Sequence, residues 1–166
     1  IKEMIEYKSN PIICNCIDGL LESKVSSIII VVRKGKEELV EYINNKYPNT
    51  TIKFVYQSGK IGNLIDAVKV AYEEIKNKDV LFRLGDTYIT PNPFVNIQSA
   101  TYELTLCCFH SNFDSKNDSF SNYAVINLDK NTVVEKPKEY VSNICWGAIS
   151  WKREFTEKLV FKDDLT

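Results

Sequence analysis

Asp86, Gln57 with the glycines behind it, and the run Glu135-Lys136-Pro137 are the residues whose type and spacing suggest chemistry. Asp86 follows Gly85 directly behind an apolar run. A carboxylate there can hold Mg²⁺ against a polyphosphate, because Mg²⁺ takes one or two carboxylates together with phosphate oxygens. The same Asp can equally make a turn or cap the next segment. Gln57 offers a donor and an acceptor side by side, which suits the edge of a nucleobase. Gly59 and Gly62 would let the backbone come close to a ligand, although a plain strand-to-helix loop has the same composition. Lys136 can meet a phosphate as a mobile point charge, and Glu135 can accept hydrogen bonds from sugar hydroxyls. A solvated charge pair ahead of a turn is the other reading of that step.

Groups like these need a layered frame to hold them. Asn10-Pro11 reads as N-cap and first residue of a helix, because Pro has no N–H to waste there. Ile12, Ile13, Cys16, Ile17, Leu20 and Leu21 then form one helical face. The pattern continues with a strand over Ser26 to Val32, a helix over Lys36 to Lys46, and a strand over Thr51 to Tyr56. A helix over Gly62 to Lys76, a strand over Asp79 to Leu84 and a short helix around Phe94 to Ser99 complete this half. Such alternation predicts an α/β fold with a mostly parallel sheet and helices on both faces, a three-layer α/β/α arrangement. In an open parallel sheet, ligands bind beyond the carboxyl ends of the strands, where Gln57 and Asp86 fall. The grammar then changes. Glu103 to Phe109 reads as a strand, Tyr123 to Leu128 and Thr132 to Glu135 as a hairpin, Ile144 to Trp151 as a strand, and Glu154 to Val160 as a helix.

Composition narrows the function classes. With 44% hydrophobic and 26% charged residues the chain is an ordinary globular one. A formal net charge of -1 and a pI near 5.9 argue against a nucleic-acid partner, which asks for a basic face. No apolar run reaches the ~20 residues of a membrane helix, so no membrane partner is expected. Residues 1–10 do not read as a signal peptide, and the absence of an initiator Met suggests that residues upstream are missing. An odd count of five cysteines and a lone His110 point to free thiols in a cytoplasmic protein rather than to zinc. Cys14 and Cys108 are expected in the core.

Taken in order, the stretches resemble the sugar-phosphate nucleotidyltransferase family, from Lys2 to about Leu159. Lys2 stands like the lysine of that family's "RPK...KPI" segment, and Gln57 with Gly62 like its "Q....G". Gly85-Asp86 matches its "GD" step, "YAVINLD" from Tyr123 to Asp129 its "YGVV.D" hairpin, and Glu135-Lys136-Pro137 its "EKP". "CWGAIS", Cys145 to Ser150, recasts its "NTGIY" strand. The resemblance implies a Rossmann-like fold of the kind shared with one class of glycosyltransferases, in a single domain over 1–166 that is incomplete at both ends. It also implies Mg²⁺-dependent transfer of a nucleotidyl group from an NTP to a sugar 1-phosphate, with a homo-oligomer possible. Lys2 would face the triphosphate, Asp86 would hold Mg²⁺, and Lys136 would bind the sugar phosphate. Gln57 and Gly62 would read the base, leaning towards a pyrimidine, and Gly85 would let the nucleoside approach. Glu135, Ala124 and Gly147 would line the sugar pocket.

The departures from the family pattern are the absent glycine-rich "GG.GTR" loop, an unmatched second metal-binding Asp, Ala124 in place of Gly and Cys145 in place of Asn. They leave two rivals. A glycosyltransferase of related fold would carry Asp-x-Asp, whereas here Asp86 is followed by Thr87-Tyr88. A non-catalytic nucleotide-sugar-binding domain would keep the fold without the chemistry.

Overall fold

A computed structural model describes residues 1–58, 64–95, 97, 102–112 and 118–161. A short 3-10 turn, Lys2–Met4, leads into a two-stranded hairpin of β1 (Glu6–Tyr7) and β2 (Asn10–Pro11). The alternating half follows as α1 (Ile12–Glu22), β3 (Ile28–Arg33), α2 (Glu37–Lys46), β4 (Ile52–Gln57), α3 (Leu64–Val70), α4 (Tyr72–Ile75) and β5 (Val80–Arg83). The second half holds β6 (Leu104–His110), β7 (Ala124–Asn127), β8 (Thr132–Glu135), β9 (Ile144–Trp151) and α5 (Thr156–Phe161).

The three layers follow from period-two patterning in the strands. Ile28, Ile30 and Val32 of β3 and Leu81 of β5 face one core, closed by Ile13, Ile17 and Leu20 of α1 and by Leu39 and Ile43 of α2. Ile29 and Val31 of β3, with Val80 and Phe82 of β5, face a second core under Val68, Ile75 and Val160. Apolar residues on both faces of a strand are the mark of a sheet covered on both sides. The α/β class and its layering therefore hold.

The pairing is more antiparallel than the alternation implies. β3 and β4 run parallel, but β5, β6 and β7 all pair antiparallel with β9, and β7 with β8. A parallel neighbour needs a crossover of a dozen or more residues; β9 instead returns through the β7–β8 hairpin. Among the described residues no ladder joins β3 to β5, and the two cores hold them together.

Three local expectations change. Asn10 pairs with Tyr7 in the small hairpin, and Pro11, with extended backbone, takes the N-cap position. The helix expected over Gly62 to Lys76 breaks at Ala71, whose N–H is shared between the carbonyls of Ala67 (3.2 Å) and Val68 (3.1 Å). That tightening ends α3 and starts α4. Cys108 is exposed, while Cys107 packs against the first core, because successive side chains of β6 point to opposite faces of the sheet. The other local expectation for cysteine holds: all five thiols are free. No described helix is long and apolar enough to cross a membrane.

Candidate active site

Lys2 and Asp86 meet as an ion pair just past the carboxyl end of β5. Lys2 is 67% exposed and Asp86 29%. The partnership is therefore a surface one that a competing ligand can open cheaply. The hydrogen bond to Asp86 holds Lys2 above the ordinary lysine range, outweighing burial. Lys2 therefore stays protonated throughout the neutral range, and this small stabilisation fades only as pH rises through the raised lysine value. Gly85 lies against the start of α1: a Cβ there would sit 2.9 Å from Ile13 Cδ1. A side chain there would press on Ile13 whether or not a nucleoside binds.

The next residue, Glu3, pairs with Lys36, which lies just past the carboxyl end of β3. Burial pushes the Glu3 carboxyl up, but the Lys36 hydrogen bond and a backbone bond outweigh it, and the net shift is downward. Its other oxygen, Oε2, is buried without a partner among the described residues. The pair's contribution is present above the usual glutamate range and is lost as pH falls below it. Lys36→Met is expected to cost about 1–3 kcal/mol in urea unfolding at neutral pH, because it strands a mostly buried carboxylate. The added change Glu3→Gln should recover part of that loss; full stability in Lys36→Met alone would refute the pairing.

Gln57 closes β4 beside Arg33, its partner in the last rung of the parallel ladder. Arg33 Nε donates to Gln57 Oε1 at 3.3 Å, and the Arg33 charge also acts on Lys2. A line of charged and polar groups thus runs across the carboxyl ends of β3, β4 and β5. Gly62, expected to work with Gln57, lies outside the described residues, as does Gly59.

The remaining candidates come together through the β9 register. Arg83, at the end of β5, pairs with Ala148, and Val125 of β7 pairs with Cys145 on β9. Only Trp146 and Gly147 lie between these rungs, so β5 ends beside the place where β7 begins. Ala124, at the start of β7, pairs with Glu135 at the end of β8. Lys136 follows with its N–H on the Tyr123 carbonyl at 3.0 Å. Its φ of 44° is left-handed, a conformation that costs a non-glycine residue about 1–2 kcal/mol. Both Glu135 and Lys136 are exposed. No direct contact between described residues joins Lys136 to Asp86.

Gly147 has a packing role of its own. A Cβ there would lie 2.8 Å from Ile89 Cδ1 and 3.1 Å from Phe109 Cε1. Ile89 belongs to the loop that follows Asp86, so this glycine seats that loop. Gly147→Ala is expected to lower stability by about 1–3 kcal/mol through overpacking, read as a lower denaturation midpoint. An unchanged midpoint would mean the loop yields freely.

Sequence reasoning missed several members of this region. Glu3, Arg33 and Lys36 sit in charged stretches that look like solvated surface. Tyr88, two residues past Asp86, packs edge-on against Tyr7 at 4.6 Å, with Lys8 Nζ 5.3 Å from the Tyr88 ring centre. Nothing in the spacing of these residues announces that contact. Arg83 is buried and holds Asn15 through Nη2 at 2.7 Å, and Asn15 in turn accepts from the Ile89 N–H at 3.0 Å. The loop after Asp86 is therefore anchored to α1.

As for a metal, no group of three or more His, Cys, Asp or Glu side chains among the described residues makes an ion cage. A single half-buried carboxylate at a strand end still fits Mg²⁺, which fills the rest of its shell with phosphate oxygens and water.

The profile of the Nucleotidyl transferase family matches residues 1–164. A UTP--glucose-1-phosphate uridylyltransferase of Haloferax volcanii is 26% identical over 91 residues, 55% of this chain and 37% of its own length. A mannose-1-phosphate guanyltransferase of Debaryomyces hansenii is 28% identical over 152 residues, 86% of this chain and 41% of its own length. The chain thus spans about two fifths of the curated relatives it matches. A Bacillus anthracis structure assigned as a glucose-1-phosphate thymidylyltransferase, solved with sucrose, overlays at a TM-score of 0.80. It shares 16% identity and covers 99% of this chain and 67% of that one. At that identity the likeness speaks for the fold.

Proposed function

Because this chain belongs to the nucleotidyl transferase family, we propose that it joins a nucleotide to a sugar 1-phosphate, taking the nucleotide from an NTP, with a pyrimidine favoured. The observation that carries this reading is the Lys2–Asp86 ion pair just past the carboxyl end of β5. In the reaction a phosphate oxygen of the sugar 1-phosphate attacks the α-phosphorus of the NTP. The new P–O bond forms as the bond to the β-phosphate oxygen breaks, and pyrophosphate leaves with its electron pair. No protein nucleophile is needed, so catalysis rests on positioning and charge stabilisation.

Each candidate then has a part. Asp86 would hold Mg²⁺, which when bound offsets charge on the phosphate oxygens. Lys2, released from Asp86, would turn its ammonium to the triphosphate. Gln57 would meet the base, and Gly85 would leave room for the nucleoside. Lys136 would take the sugar phosphate, and Glu135, Ala124 and Gly147 would shape the sugar pocket. The named relatives act with uridylyl and guanyl donors, so the family alone does not choose the base. Highly charged soluble substrates suit a cytoplasmic reaction.

The test is a thermal-shift screen with Mg²⁺ and UTP, dTTP, CTP, GTP or ATP, followed by pyrophosphate release with sugar 1-phosphates. A nucleotide at a hundred times its Kd should add about 2.7 kcal/mol. Stabilisation by a pyrimidine nucleotide together with pyrophosphate release supports the proposal. The absence of both overturns it.

A further inference from the structure

We propose that Arg33 sets the orientation of the Gln57 amide, so that the site accepts a base carrying an exocyclic carbonyl and turns away one carrying an amino group. This rests on the reading above that Gln57 meets the base. The two residues occupy the last rung of the β3–β4 ladder, and both are half-buried. Arg33 Nε donates to Gln57 Oε1 at 3.3 Å.

A guanidinium has five N–H donors and no acceptor. The amide face turned towards Arg33 must therefore be the oxygen. A flipped amide would set N–H against N–H and lose the bond. Orientation of the other face follows: the NH₂ group is turned away from Arg33, and among the described residues it has no protein acceptor. What the strand end presents is a donor.

The donor discriminates between bases. Uracil and thymine carry a carbonyl at position 4 where cytosine carries an amine, and guanine carries a carbonyl at position 6 where adenine carries an amine. A fixed NH₂ group donates to the carbonyl and confronts the amine with a second donor. Swapping one for the other would need the amide to rotate, and Arg33 opposes that rotation. Within the pyrimidines favoured above, the geometry therefore selects UTP or dTTP over CTP. Arg33 acts as a positioning residue, through Gln57 and not by touching the base.

Calorimetric titration with UTP and with CTP, each with Mg²⁺, tests the proposal. Wild-type protein should bind UTP about tenfold or more tightly than CTP, the scale of one well-made base contact. Arg33→Met keeps bulk but removes the donors, so the preference should shrink below about threefold, chiefly through tighter CTP binding. Arg33→Lys restores a donor and should restore the preference. A variant damaged only in folding would weaken both nucleotides alike and leave their ratio unmoved.

Equal affinity of the wild type for the two nucleotides overturns the inference, as does a full preference retained in Arg33→Met. Gln57→Leu separates this failure from that of the underlying reading. If it weakens UTP while Arg33→Met changes nothing, Gln57 meets the base and only the role of Arg33 falls. If it leaves both affinities untouched, Gln57 is not at the base and both readings fall together.

Discussion

Asp86→Asn is expected to lower kcat for Mg²⁺-dependent pyrophosphate release by roughly 10²–10³-fold, the loss that follows removal of one electrostatic stabiliser from a reacting centre. Asn keeps the volume of the side chain and still offers Lys2 an oxygen acceptor. Asp86 is partly exposed and, among the described residues, its only ion pair is with a largely exposed lysine, so the fold should survive with little change in thermal midpoint. The variant removes the negative charge alone. Without it the cation loses its protein anchor and should bind more weakly, so the Mg²⁺ concentration for half-maximal activity should rise. A second consequence follows at Lys2. The bond to Asp86 is the largest contribution raising its pKa, and loss of that charge should return the ammonium towards ordinary lysine behaviour. Normal turnover in Asp86→Asn would sink the metal assignment, and a lost thermal transition would show a structural role instead.

What could be read from the chain alone was whatever depends on local pattern. The strands at Ile28–Arg33, Ile52–Gln57 and Ile144–Trp151 lie within two residues of their expected ends, because stretches rich in β-branched and aromatic residues bounded by polar turns leave little choice. The placement of Gln57 and Asp86 at strand ends was legible for the same reason. Pairing was not. Val80–Arg83 carries no mark that says it lies against β9 rather than against a parallel neighbour, since both give an apolar strand covered on two faces. Gly147, expected at the site, also makes room for Ile89 and Phe109; a contact between residues so far apart in the chain leaves no local trace. Arg33 was overlooked for a related reason. It sits in the basic run Arg33-Lys34-Gly35-Lys36, which reads as solvated surface until the β3–β4 register sets it beside Gln57.

Lys136 gives the second large effect, and its backbone allows function to be separated from folding. Lys136→Glu should raise the KM for the sugar 1-phosphate at least about tenfold, because reversing a phosphate-binding charge replaces attraction with repulsion. The KM for the NTP should change far less, since its triphosphate is assigned to Lys2 and Asp86 at the end of β5. An equal rise in both would count against the role. The left-handed φ of 44° supplies the control. Lys136→Gly removes the charge too, but glycine adopts that backbone without strain and should make the protein more stable by up to about 1 kcal/mol. A lysine with no part in binding would leave this variant more stable and fully active. A lysine kept to hold a phosphate would leave it more stable and poor at binding the sugar substrate. That opposition of signs, a gain in denaturation midpoint against a loss in sugar-phosphate affinity, is the outcome expected of a residue held in a strained conformation for the sake of its charge.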